Sequence, residues 1–146
     1  MDIFSLKFPL ALVAPDGWVE LWRKAETRRN WSLGGIQKYR KLGFIVADGD
    51  GHVWRLTSVE LSRPIGVWAR IKAVFSLESF PVQIEVTKAE GDPLEVFRTA
   101  FLAALEEDDD ILKQFHSAEK IEAVVSSATS LSDLLARLKR MRILTE

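Results

Sequence analysis

The sequence predicts a single α+β domain spanning residues 1–146, with a mostly antiparallel sheet of four to five strands first and packing helices after it. Two observations carry this. Before about residue 91, short runs rich in β-branched and aromatic residues alternate with turn residues; after it, apolar residues recur with a period near 3.6. The chain also has 146 residues, no cysteine, 47% hydrophobic and 28% charged residues. That is enough apolar material for one core without disulfide or metal staples.

The first fifteen residues contain the apolar run Leu10-Ala11-Leu12-Val13-Ala14. Asp2, Lys7 and Pro9 interrupt the segment where a secretory signal needs positive charge followed by an unbroken apolar stretch, so it reads as a strand. Phe4, Leu6 and Phe8 alternate with Ser5 and Lys7, which predicts one buried face. Pro15-Asp16-Gly17 is a turn, followed by a strand from Trp18 to about Arg23. Over 32–41, Leu33, Ile36 and Tyr39 share a helical face but Gly34-Gly35 weakens it, leaving a short helix or a loop. Two β-rich runs flanking Asp48-Gly49-Asp50-Gly51 predict a hairpin over 43–56. A further strand follows over about 80–89, where Val82, Ile84 and Val86 alternate with Gln83, Glu85 and Thr87.

Asp92 and Pro93 fit the N-cap and first position of a helix carrying Leu94, Phe97, Phe101, Leu102 and Leu105. Asp108-Asp109-Asp110 breaks it, and a short helical piece is expected over 111–115. Ser117 caps a helix from about Ala118 to Ser127. Ser130 with Asp133 caps the last one, whose stripe is Leu131, Leu134, Leu135, Leu138 and Met141.

No constellation of recognised chemistry is present. Asp48 to Asp50 supplies two carboxylates of a calcium loop but has His52 at position five and Val59 at position twelve, so it reads as a turn. His52 and His116 stand in no zinc-binding spacing, and neither a thiol nor a GxSxG nucleophile elbow occurs. No catalytic residue, metal ligand or cofactor is therefore assigned, although two converging carboxylates or a pocket between sheet and helices would leave no local signature.

Binding candidates come from charge and aromatic content. The net charge of −1 divides into +3 over residues 1–90 and −4 over residues 91–146. Glu106, Glu107, Asp108, Asp109 and Asp110 form an acidic run that suits either a helix break and cap or a patch steering a basic protein partner. Trp18, Trp22 and Trp31 lie in the least regular part of the chain and are candidate interface anchors. Arg23, Arg28, Arg29, Lys38, Arg40 and Lys41 are interleaved with aromatics, the alternative being a nucleic-acid surface, against which the near-neutral total argues.

The stretch LGFIVADGDGHVWRLTSVEL, residues 42–61, resembles small bacterial immunity-type proteins of polymorphic or contact-delivered toxin systems, which carry a strand, an Asp-x-Asp-Gly tip and an aromatic strand in a mixed sheet. The sheet-then-helices order and EEDDDILKQF are in keeping with it. The resemblance implies a cytoplasmic, non-enzymatic inhibitor that binds a cognate toxin. No segment approaches the ~18 uninterrupted apolar residues of a membrane helix, so no membrane partner is expected. The near-neutral charge departs from the strongly acidic balance expected of a nuclease antagonist.

Overall fold

A computed structural model describes residues 1–76, 78–107 and 116–145. The fold is α+β. Among these residues six strands form one antiparallel sheet: β1 (Leu10–Val13), β2 (Val19–Trp22), β3 (Asn30–Ser32), β4 (Ile45–Ala47), β5 (Val53–Leu61) and β6 (Ser79–Lys88). Their spatial order is β2-β1-β4-β5-β6-β3. The expected four to five strands become six because β3 is a three-residue edge strand. It pairs Asn30, Trp31 and Ser32 with Pro81, Phe80 and Ser79, a partner some fifty residues away that leaves no local mark. Since β2 and β3 are opposite edges joined only by residues 23–29, the sheet has to curl toward itself.

Five helices are described: α1 (Leu33–Leu42), α2 (Val67–Phe75), α3 (Pro93–Glu107), α4 (Ala118–Ser126) and α5 (Leu131–Arg140). Their caps follow the side chains. Asp92 Oδ2 accepts from the Glu95 amide, Ser117 Oγ from Lys120, and Ser130 Oγ from Asp133, while Asp133 accepts in return from the Thr129 amide. Ser32 caps α1 by accepting from Gly35, so 33–42 is a helix despite its glycine pair. The helix break and short helix expected over 108–115 lie outside the described residues.

The core lies on both sides of the sheet. Ala11, Val13, Ile45, Ala47 and Val53 face α3, α4 and α5, meeting Phe97, Phe101, Ile121, Leu134 and Leu138, all fully buried. Leu10, Leu12, Val46, Val59, Ile84 and Val86 face the concave side, which is closed by Ile36, Phe44, Trp22 and the N-terminal residues Ile3 and Leu6. β1 and β4 are thus buried on both faces, which is why their sequences are continuously apolar rather than alternating.

The N-terminal strand expected over Phe4 to Phe8 is instead a 3-10 turn at Ile3–Ser5, capped by Asp2. The Met1 ammonium pairs with Glu85 and the Met1 carbonyl accepts from Val86, so the chain end is tied to β6; Ile3 and Leu6 are buried in the core, and Phe4 and Phe8 pack half-buried against it. The segment between β5 and β6, for which no element is expected, contains α2.

Candidate functional site

Trp18, Trp22 and Trp31 come together on the concave side with Tyr39 and Phe44. Trp18 meets Tyr39 at 4.6 Å between ring centres, and Trp22 meets Trp31 edge-on at 6.1 Å. Trp22 is 1% exposed and Trp18 and Trp31 are half-buried. Two of the indoles are satisfied internally: Trp22 Nε1 donates to Glu20 at 3.0 Å and Trp31 Nε1 to the Arg28 carbonyl at 3.2 Å. The curl of the sheet makes them the wall that bridges β2 and β3, and edge-to-face pairs of this kind add about 1 kcal/mol each beyond burial.

The basic residues of the same region are largely engaged. Arg28 pairs with Glu20 at 2.8 Å, Lys38 with Asp16 at 2.7 Å, and Arg40 with Glu60 and the Val59 carbonyl. Arg29 lies over the Phe4 ring at 4.7 Å. Arg23 and Lys41 are exposed. The cations therefore buttress the aromatic wall more than they form a phosphate-binding row. Burial raises the Asp16 carboxyl pKa, but the Lys38 ammonium and the Trp18 amide outweigh it, so the group sits below its ordinary value.

Tyr39 closes this wall, with its hydroxyl 3.4 Å from Asp16. Burial and then the Asp16 charge push the phenol well above its ordinary pKa. A group whose proton is held more tightly when folded leaves stability level below its unfolded pKa and erodes it above, so the loss begins near pH 10. As the chain has one tyrosine, phenolate absorbance reports on Tyr39 alone. Titration is expected to show no phenolate until the chain unfolds, and Tyr39→Phe should flatten the alkaline stability loss; an ordinary titration near pH 10 in the folded state would refute the packing.

The hairpin tip is built around Asp48, which is 6% exposed. Its Oδ1 accepts from the Asp50 and His52 amides at 2.9 and 3.0 Å, and its Oδ2 from Trp54 Nε1 at 2.8 Å. Gly51 takes φ +81° to turn the chain, and at Gly49 a Cβ would fall 2.8 Å from the Phe8 carbonyl. With its carboxylate spent on three N–H groups, Asp48 holds the turn together. No group of three or more metal-binding side chains occurs among the described residues.

Of the acidic run, Glu106 and Glu107 are exposed at the C-terminal end of α3, while Asp108, Asp109 and Asp110 lie outside the described residues. Several shallow clefts mark the surface, two of them against the helical layer with mainly apolar linings. One of about 270 Å³ lies between α3 and β4–β5, lined by Leu42, Phe44, Ile45, Ala100 and Ala103 with Arg55. Another of about 350 Å³ lies between the hairpin tip and α5, lined by Leu131, Leu135 and Lys139. Neither gathers the converging polar groups of a small-molecule site.

The surface that stands out was not among the sequence candidates. Helix α2, in the connection 62–78, turns large apolar side chains to solvent: Val67 is 73% exposed, Trp68 77%, Ile71 45% and Phe75 87%. Among its side chains of described burial, the half-buried ones are the small Ala69 and Ala73. This inverts the usual amphipathic arrangement, in which large apolar residues face the core. The spacing of Val67, Ile71 and Phe75 at i, i+4 and i+8 is a helical signal in the sequence, but the sequence does not say which way the stripe faces. Arg63, Arg70 and Lys72 are all exposed beside it. No helix among the described residues is long and apolar enough to cross a membrane.

Comparison with protein-family models, with curated proteins and with solved structures finds no match for this chain.

Proposed function

We propose that this chain is a non-enzymatic protein-binding module that acts by occupying its partner, in the manner of an immunity-type inhibitor of a toxin, and that the outward face of α2 is its contact surface. One observation carries the reading: among the described residues Trp68 and Phe75 are the most exposed of the large hydrophobic side chains, and they share one helix with Val67 and Ile71. An exposed aromatic costs solubility and contributes nothing to the fold, so its natural account is burial on association. Trp is also the residue most enriched among interface anchors. Docking gains about 2–3 kcal/mol from each such side chain before association costs.

The other candidates suit this role less. Trp18, Trp22 and Trp31 pack against one another and against Tyr39 and Phe44, and three of the basic residues around them are held in ion pairs. On the inhibitor reading the chain works in the cytoplasm without a cofactor. The test is protection: cells expressing a toxin encoded beside this gene should survive when the chain is co-expressed and die when it is omitted. Equal death in both, with the chain folded and abundant, would refute the inhibitor role.

A further inference from the structure

The charges around α2 state what kind of surface it fits. At 100° per residue, Val67, Ile71, Phe75 and Trp68 fall within an arc of about 100°, with Lys72 about 40° beyond Trp68 on one flank and Arg70 about 60° beyond Val67 on the other. Arg63 precedes the helix, and residues 62–76 contain no acidic side chain; Glu78, the single acid of the connection, lies where the chain enters β6. The arm is anchored at both ends, because Ser62 donates to the Pro81 carbonyl and β5 and β6 pair through Leu61 and Val82. The Val82 amide also donates to the Arg29 carbonyl, which sets a fourth basic residue near its base. The result is a short apolar ridge with cations on both flanks.

We infer that the occupant of this ridge is a protein carrying an apolar groove rimmed by carboxylates on both sides, which receives α2 with Val67, Trp68, Ile71 and Phe75 inside and Arg70 and Lys72 on the rims. The inference rests on the protein-binding reading above and adds the chemistry of the partner. Trp68, Ile71 and Phe75 stand at i, i+3 and i+7, the spacing by which a helix anchors in a groove, and carboxylate rims complement cations that the body leaves at the surface. A second copy fits worse, since twofold pairing of α2 against α2 would set Arg70 and Lys72 against their own counterparts.

The experiment is photo-crosslinking of the full chain in its native cell from Phe75→p-benzoylphenylalanine. The partner so identified is then purified and its affinity measured. The expected crosslink lies in a protein segment where apolar residues are bracketed by Asp or Glu. Binding should weaken at least about tenfold between 50 and 500 mM salt, and at least about tenfold in the R70Q/K72Q variant, with the circular dichroism of the chain unchanged. A partner whose crosslinked surface is neutral or basic, or whose binding ignores salt and R70Q/K72Q, overturns the inference and leaves the reading standing. Crosslinks only to a second copy, or flotation with phosphatidylglycerol vesicles that needs Trp68 and no protein, overturn both. A folded, expressed chain that crosslinks to nothing also overturns both.

Discussion

Replacing Trp68 and Phe75 together by serine is expected to leave the chain at least as stable as wild type while weakening its association with its partner roughly a thousandfold. The two halves of this result have different causes. In the free chain both side chains stand in solvent, 77% and 87% exposed, so truncation opens no cavity and removes no buried contact. Serine ranks with Trp and Phe in helix propensity, and α2 should persist. On the proposed protein-binding reading the same side chains are the anchors of the complex, and losing two anchors of about 2 kcal/mol each gives the stated factor. Thermal denaturation measures the first half and titration calorimetry against the crosslinked partner the second. An unchanged Kd would remove α2 from the interface; a melting temperature lowered by many degrees would show the side chains packed inward after all.

Replacing Asp48 by alanine is expected to cost about 3 kcal/mol of folding stability. Three N–H groups lose one carboxylate. Water can reach the Asp50 and His52 amides at the exposed tip, but the indole N–H of half-buried Trp54 is less readily rescued. Asp48→Asn separates the contributions: its amide oxygen still accepts from the backbone, while its NH₂ sets a donor against the Trp54 donor, so about half the loss is expected. Urea denaturation followed by far-ultraviolet circular dichroism gives both values. A D48A variant within about 0.5 kcal/mol of wild type would mean that water organises the tip without the carboxylate.

Much of the fold was legible along the chain because its signals are local. Asp92 with Pro93, Ser117, and Ser130 with Asp133 announce helix starts through contacts spanning three or four residues, and the structure has each cap where the sequence puts it. The hairpin announces itself the same way, through Asp48 and the glycines after it. The errors fall where a distant segment decides. Phe4 to Phe8 alternates like a strand, yet it has no ladder to join, since Met1 and Asp2 are tied to Glu85 and Val86 of β6. Asn30 to Ser32 has little strand character and becomes one because β6 offers an open edge.

The same division governs the candidate site. Composition alone gives five tryptophans and eight phenylalanines, enough to furnish a large core with some left as candidate anchors, and residue order alone shows that Val67, Ile71 and Phe75 would line up on a helix. Which aromatics are inside was decided by tertiary structure. The curl of the sheet brings β2 and β3 within reach of each other and turns Trp18, Trp22 and Trp31 into a mutual packing cluster, while α2 hangs from the end of the β5–β6 pair with its large side chains outward. Burial is set by what arrives from elsewhere in the chain, and a sequence stripe carries its own spacing but not its partner.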